Sequence, residues 1–222
     1  MKENHVKTTE PDRSYFGEYP RSFRSQVHQL IAWGYQGAQK MIKSSYEEET
    51  AITGFIAEAI EDRFLINSPP WLEHYSVKDD PPVRKMGSSG RSRPRSDLII
   101  QANFARRPEY VFEAKRLSKN GFGIDKYIGT EGIGRFVNGL YAQRFDEAAM
   151  LGYVQSDSLA HWRSKVKGAI DSNAVPLCLK SAQHDEMVLG DFPLEWVSEH
   201  ERAKLGRSIN VYHILLDCFI EG

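Results

Sequence analysis

The chain has 222 residues, of which 41% are hydrophobic, 11% aromatic and 27% charged. This composition is typical of soluble globular proteins and excludes collagen-like, fibrous and disordered chains. The formal net charge of −1 provides no overall positive field for nucleic acid, so such a partner has to be argued from local clusters. No stretch reaches the roughly 18 consecutive apolar residues of a membrane helix, and residues 1–16 lack a signal-peptide core. We therefore expect a cytoplasmic protein with no membrane partner.

The length predicts one large domain over residues 25–222, preceded by a flexible tail over residues 1–24. Residues 1–20 are polar and contain two prolines. From Ser25, apolar residues recur at helical spacing, which predicts one helix or a broken pair because Gly34 and Gly37 weaken the middle. Cys178 and Cys218 are far apart with no CxxC spacing. They predict two reduced, buried thiols and argue against a disulfide framework or a zinc site.

A second, longer helix is expected to begin near residue 45 and to end before the prolines at 69 and 70. Ser44 and Ser45 resemble an N-cap, and Glu47, Glu48 and Glu49 would lie in the first turn, where the helix dipole favours acidic groups. Its apolar positions fall on one face. Residues 71–78 are expected to form a strand and residues 79–95 a loop.

The strongest β pattern follows this loop. Residues 96–102 and 110–117 predict two antiparallel strands joined by a short turn at 105–109. Beyond them we expect a helix over 131–142, a buried strand over 148–155 and a helix over 158–170 capped by Ser158. The C-terminal part is expected to be rich in strands, at 175–180, 186–189, 195–197 and 208–219.

Charged residues on the two paired strands form the most informative feature of the sequence. Side chains alternate along a strand, so Glu113 and Lys115 share one face, and the hairpin can bring Asp97 near Glu113. Two carboxylates and an ammonium would then lie beside the acidic first turn of the preceding helix. Hard divalent cations such as Mg²⁺ or Mn²⁺ take oxygen ligands from carboxylates, water and phosphate. The group therefore suits metal-dependent cleavage of phosphodiesters.

The aspartate in Ser96-Asp97-Leu98-Ile99-Ile100, followed after fifteen residues by Glu113-Ala114-Lys115, resembles the motif of the PD-(D/E)xK nuclease superfamily. The proline that usually stands just before the aspartate in this motif is Pro94 here, so the motif is present in a relaxed form. The resemblance covers about residues 45–156 and leaves 157–222 as a C-terminal extension. It implies an α/β fold with a restriction-endonuclease-like core, in which a mixed central sheet is flanked by helices. It also implies that Asp97, Glu113 and Glu49 bind Mg²⁺ (or Mn²⁺) and that Lys115 is the catalytic lysine.

The function implied by this resemblance is a Mg²⁺-dependent nuclease whose expected substrate is DNA. The resemblance places it in bacterial restriction, antiphage defence or DNA repair, and we expect the effector subunit of a bacterial defence or restriction system. A homodimer or partner subunits of a larger complex are compatible with the near-zero net charge. Helical periodicity alone does not decide which of Glu47, Glu48 and Glu49 faces the metal. The choice between DNA and RNA also stays open.

Local basic clustering favours the same nucleic-acid partner. Residues 82–96 contain no acidic residue, and Arg135 follows in a glycine-rich segment. The expected nucleic-acid contacts are Arg84, Lys85, Arg91, Arg93, Arg95 and Arg135.

Two other classes of protein stay open. The chain is alternatively a non-catalytic nucleic-acid-binding or assembly module of the same fold. Otherwise it is an interaction protein in which the strand charges form only a salt bridge. The segment 129–137 matches neither common phosphate-binding loop. The histidines show no spacing typical of a transition-metal site.

Overall fold

A computed structural model of the chain describes residues 21–66, 69–83, 93–103, 107–121, 123–186, 188, 192 and 195–220. Helices and strands together cover most of this length. In chain order they are α1 (Arg21–Ala38), α2 (Glu49–Ile66), β1 (Tyr75–Asp79), β2 (Leu98–Ala102), β3 (Glu109–Leu117), α3 (Ile124–Ile128), α4 (Ile133–Val137), β4 (Glu147–Val154), α5 (Leu159–Ser172), β5 (Glu195–Arg202) and β6 (Arg207–Asp217).

The six strands form one mixed sheet in the order β1-β2-β3-β4-β6-β5. The pairs β1–β2, β2–β3 and β5–β6 are antiparallel, whereas β3–β4 and β4–β6 are parallel. The expected hairpin of β2 and β3 is confirmed, with Leu98 opposite Phe112. Because β6 pairs with β4, the C-terminal extension completes the same sheet and the chain is an α/β protein.

Both faces of the sheet are buried, which explains why β3 and β4 have almost no exposed residues. One core contains residues of α1 and α2 with Phe112 and Ala114 of β3. The other core contains residues of α3, α4 and α5 with Val111 and Leu117 of the same strand. Alternate side chains of β3 therefore enter opposite layers, as strand geometry requires. Glu113 and Lys115 lie on the face covered by α3, α4 and α5.

α1 is a single helix because its two glycines face α2. A Cβ atom at Gly34 would lie 2.8 Å from the carbonyl oxygen of Ile56, and one at Gly37 would lie 2.6 Å from the Cβ of Ala59. The glycines thus allow close approach of the two helices instead of breaking the first one. The helix begins at Arg21, and Phe23 is fully buried. Residues 21–24 therefore form its first turn, whereas the rest of the expected tail lies outside the described residues.

Several sequence-based boundaries were wrong. α2 begins at Glu49, so Ser44 and Ser45 lie in the preceding turn and do not cap it. The helix expected over 131–142 is shorter, since only α4 falls within this range, and α3 precedes it beyond a glycine-containing turn. Residues 175–180 form turns with one isolated bridge, at Leu179. Cys178 is exposed, although Cys218 is buried and both thiols are free as expected.

The fifth helix shows the expected cap, since the Ser158 side chain accepts a hydrogen bond from the backbone N–H of His161 at 3.2 Å. Within the described ranges, no helix has both the length and the apolar character needed to cross a membrane.

Candidate active site

Lys115 is the centre of a charged cluster on β3. Its Nζ donates to Glu113 Oε1 at 2.9 Å and to Glu49 Oε1 at 3.0 Å, and it lies 3.8 Å from Asp97 Oδ2. The four residues come from three separate elements, and the structure brings their side chains together as the sequence motif predicted. Glu113 and Lys115 are nearly buried, with 3% and 9% of their surface exposed.

Asp97 is positioned by the hairpin. It immediately precedes β2, and its Oδ2 accepts a hydrogen bond from the backbone N–H of Ala114 at 2.6 Å. That contact ties the carboxylate to the middle of β3, between Glu113 and Lys115. The aspartate is thus fixed by the backbone of its neighbour strand and does not depend on Lys115 for its orientation.

The helix carboxylate in the cluster is that of Glu49. As the first residue of α2, it accepts from Lys115 through Oε1 and from the backbone N–H of Arg116 through Oε2 at 3.1 Å. Glu48 instead pairs with Arg116 at 2.9 Å and is mostly exposed. Glu47 contributes its carbonyl oxygen, which accepts from Gln155 Nε2 at 2.8 Å. Of the three glutamates, Glu49 is therefore the one whose carboxylate joins the cluster around Lys115.

A fifth charged residue belongs to the cluster. Arg135 was expected to contact nucleic acid, but its Nε lies 3.3 Å from Glu113 Oε1, and its guanidinium lies 5.2 Å from the ring centre of Tyr141. The side chain is one quarter exposed. Arg135 therefore faces Glu113 from α4 and shares its carboxylate with Lys115.

The electrostatics of Glu113 are unusual. Burial, reinforced by the charge of Asp97, raises the pKa of Glu113 to about 8, although Lys115 and Arg135 oppose this shift. Burial alone would lower the pKa of Lys115, but Glu113, Asp97 and Glu49 together raise it. At neutral pH, Lys115 is therefore an ammonium and Glu113 binds its proton unusually tightly.

One carboxylate oxygen in the cluster has no partner. Glu113 Oε2 is buried without a hydrogen bond among the described residues, an arrangement that is costly for a polar atom. A divalent cation at this oxygen would satisfy it and would oppose the repulsion from Asp97. The donor set of carboxylate oxygens is the one that Mg²⁺ and Mn²⁺ prefer. The residues present therefore fit such an ion.

Two carboxylates of the cluster, those of Asp97 and Glu113, are suited to bind the ion, and the carboxylate of Glu49 is not. Within the described ranges, no group of three or more histidine, cysteine or acidic residues has the arrangement of a metal site. Both oxygens of Glu49 are already hydrogen-bonded, whereas Asp97 and Glu113 retain acceptor capacity. Mg²⁺ is commonly bound through one or two carboxylates, with water and phosphate oxygens completing its shell.

The cluster opens to solvent through a cleft of about 360 Å³. Its lining is rich in charge and includes Glu49, Lys115, Arg116, Lys126, Glu131 and Arg135. Lys126 pairs with Glu131 at 2.6 Å on the exposed rim. A polar ligand can therefore reach Lys115 without displacing an apolar side chain.

The arginine-rich loop before Asp97 is only partly described. Arg84, Lys85 and Arg91 lie outside the described residues. Arg93 is half-buried, whereas Arg95 is exposed and its Nε pairs with Asp80 Oδ1 at 2.8 Å. The charge of Arg95 is therefore balanced by Asp80, and the contact holds the returning loop against the end of β1.

Compared with protein-family models, curated proteins and solved structures, the chain matches none. The geometry described above is consequently the basis for assigning a function.

Proposed function

We propose that the chain is a metal-dependent nuclease with a restriction-endonuclease-like core, acting on DNA. The single observation that carries the proposal is the convergence of Asp97 and Glu113 on Lys115, which lines a solvent-accessible cleft, while one buried oxygen of Glu113 has no hydrogen-bond partner among the described residues. The succession α2, β1, β2, β3, helix and β4 supports it, because this is the order implied by the motif resemblance.

In this proposal, Asp97 and Glu113 hold Mg²⁺ or Mn²⁺, and Glu49 orients Lys115. The bound ion supplies Lewis-acid stabilisation of the phosphate and lowers the pKa of a water molecule. The ammonium of Lys115 donates hydrogen bonds to the developing negative charge on the phosphate and positions the attacking water. Because its pKa is raised, Lys115 acts as a charged donor and not as the base.

Arg135 has a supporting role in the same proposal. Its contact with Glu113 at 3.3 Å connects this carboxylate to the lining of the cleft, of which Arg135 is part. When Asp97 and Glu113 are both ionised, Arg135 and Lys115 reduce the repulsion between them.

The decisive experiment is cleavage of supercoiled plasmid, linear duplex, single-stranded DNA and RNA in Mg²⁺, Mn²⁺ or EDTA. Wild type should cut at least one substrate in a metal-dependent way, and Lys115→Ala should be slower by about 100-fold or more, as expected when a transition-state donor is removed. Lys180→Ala is the matched control, because Lys180 is an exposed lysine paired with Glu199 at 2.8 Å outside the cluster.

Equal cleavage by wild type and Lys115→Ala would assign the activity to a contaminant. The absence of cleavage by folded wild type under every condition, together with no binding of Mn²⁺, would overturn the proposal.

A further inference from the structure

A second pocket adjoins the candidate active site at the carboxyl ends of three neighbouring strands. Residues that follow β3, β4 and β6 meet the segment before α2 around a cavity of about 440 Å³. The groups that matter for recognition are Lys43, Tyr46, Lys119, Gln155, Asp157 and Phe219. β3, β4 and β6 run parallel, and ligands of α/β sheets characteristically bind beyond the carboxyl ends of such strands.

The pocket has a fixed framework. Ser45 Oγ accepts from the backbone N–H of Ile220 at 2.7 Å and donates to its carbonyl oxygen at 3.1 Å, which joins the segment before α2 to the end of the chain's last strand. Gln155 Nε2 donates to the carbonyl oxygen of Glu47, and Ser156 Oγ accepts from the backbone N–H of Lys119 at 3.0 Å. A ligand therefore meets a preformed surface.

Two aromatic rings on this framework are unusually exposed. Tyr46 is 72% exposed and Phe219 is 44% exposed. Elsewhere, the sheet and its helices enclose aromatic residues such as Tyr141, Tyr153 and Phe136 completely. The faces of Tyr46 and Phe219 are consequently available to a flat, apolar ligand surface such as a nucleobase.

The charge on the rim favours an anion. Lys43 and Lys119 are exposed, and neither makes an ion pair with another described residue. The opposing carboxylate of Asp157 accepts a hydrogen bond from Ser156 Oγ at 2.9 Å. Two ammonium groups against one carboxylate give the pocket a positive balance beside its aromatic rings.

The distance to the candidate active site matches a short piece of one nucleic-acid strand. Ser118 follows the end of β3 and is three residues beyond Lys115, which corresponds to about 10 Å at the ~3.3 Å rise of a strand. One strand of stacked DNA advances by about 3.4 Å per nucleotide, and an unstacked strand advances further. The pocket is therefore no more than about three nucleotides from the position expected for the cleaved phosphate.

We propose that this pocket binds a single-stranded segment of the nuclease substrate, no more than about three nucleotides from the cleaved bond. An unpaired base stacks on Tyr46 and Phe219, while Lys43 and Lys119 contact the flanking phosphates. Because base faces are hidden in a duplex but available in a single strand, the aromatic pair selects single-stranded or frayed substrate. The position of the cleaved bond rests on the proposed function, but binding to the pocket does not.

The test measures the affinity for labelled single-stranded and duplex oligonucleotides by fluorescence anisotropy in EDTA. Tyr46→Ala and Phe219→Ala should each weaken single-strand binding about tenfold, the effect expected for one lost base stack, and should change duplex binding less than twofold. Tyr46→Phe keeps the ring and should bind like wild type. Val175→Ala is the matched surface control, since Val175 is 88% exposed and does not line the pocket.

The contribution of the lysines is tested by the salt dependence of binding. Lys119→Ala should reduce the slope of log affinity against log salt by about 1 for the single strand. Unchanged single-strand affinity in both aromatic-to-alanine variants, or an equal loss for single strand and duplex, would overturn the proposed pocket. Because both rings are exposed, circular dichroism should report a native fold for each variant.

The binding assay separates this inference from the proposed nuclease. If wild type cleaves with metal but Tyr46→Ala and Phe219→Ala bind single strands normally, the proposed role of the pocket is wrong and the proposed nuclease function is retained. If the aromatic variants lose single-strand binding but wild type cleaves nothing and binds no Mn²⁺, the proposed role of the pocket is retained and the proposed nuclease function is wrong.

Discussion

Two buried polar clusters lie on the same face of the sheet and differ in whether their hydrogen bonds are complete. In the first, the carbonyl oxygen of Leu177 accepts from His200 Nδ1, so His200 Nε2 accepts from Ser198 Oγ at 2.7 Å. Ser198 Oγ then accepts from His213 Nε2, and His213 Nδ1 accepts from the hydroxyl of Tyr127. Burial lowers the pKa of both histidines. This first network of hydrogen bonds is therefore neutral, and its donors and acceptors are all paired.

The second cluster, around Lys115, is charged and incomplete. It contains three carboxylates, its Glu113 Oε2 has no hydrogen-bond partner in the part of the chain that the structure describes, and it borders an open cleft. The comparison teaches that buried polarity alone does not mark a functional site. A network whose donors and acceptors are all matched stabilises the fold, whereas one that leaves an acceptor unpaired beside an open cleft is suited to a ligand.

The largest effect should come from Asp97→Asn. The amide oxygen can still accept from the backbone N–H of Ala114, so the melting temperature should stay close to that of wild type. Removal of the negative charge should reduce metal-dependent cleavage by about 100-fold or more. Single-turnover kinetics with correction for the folded fraction measure the loss. A variant that retains full activity would exclude Asp97 as a metal ligand.

Ser198→Ala should have the reverse effect of Asp97→Asn, because it should lower the stability of the protein and leave its cleavage activity unchanged. It leaves the inward-facing nitrogens of His200 and His213 without their shared partner, which should lower the free energy of unfolding by about 1–3 kcal/mol. Urea denaturation measures that loss. The cleavage rate of the folded protein should be unchanged, and a large fall in this rate would show that the serine–histidine chain also supports the active site.

The two clusters should impose opposite pH slopes on stability. Glu113 has a pKa of about 8 in the folded protein against about 4.3 unfolded, so the folded state binds more protons between these values. Stability should therefore fall as pH rises from about 4.5 to 8, with a slope of at most about 1.4 kcal/mol per pH unit. His213 has a lowered pKa, so its contribution should fall as pH drops through about 6.5.

Glu113→Gln separates these two slopes. In EDTA, it should remove the loss of stability towards pH 8 and leave the loss below pH 6.5. Thermal unfolding between pH 5 and pH 8.5 provides the measurement. If the variant keeps the wild-type profile, Glu113 is ionised in the folded protein at neutral pH.

Much of the site could be predicted because it depends on short-range patterns. Alternation along β3 fixes Glu113 and Lys115 on one face, and a hairpin connection fixes Asp97 beside them. The choice of Glu49 over Glu48 depended on where α2 begins, and acidic residues at a helix start do not define that position to within one residue. The contact of Arg135 with Glu113 could not be predicted, because it joins α4 to β3 across the fold.

The parts that the sequence did not predict depend on long-range packing. Gly34 and Gly37 weaken a helix by local propensity, but their close contact with α2 explains why α1 continues through them. Tyr46 and Phe219 are separated by most of the chain and line the same pocket because Ser45 binds the backbone of Ile220 beyond the end of β6. No local pattern distinguishes either ring from an ordinary core aromatic.

The central claim is that the unpaired oxygen of Glu113 is part of a divalent-cation site. Calorimetric titration with Mn²⁺ tests it most directly, with wild type, Glu113→Gln and Ser198→Ala at pH 8. The account predicts saturable binding by wild type and Ser198→Ala and at least tenfold weaker binding by Glu113→Gln, the scale of losing one well-placed ligand. Equal binding by all three proteins, or no binding by folded wild type, would contradict it.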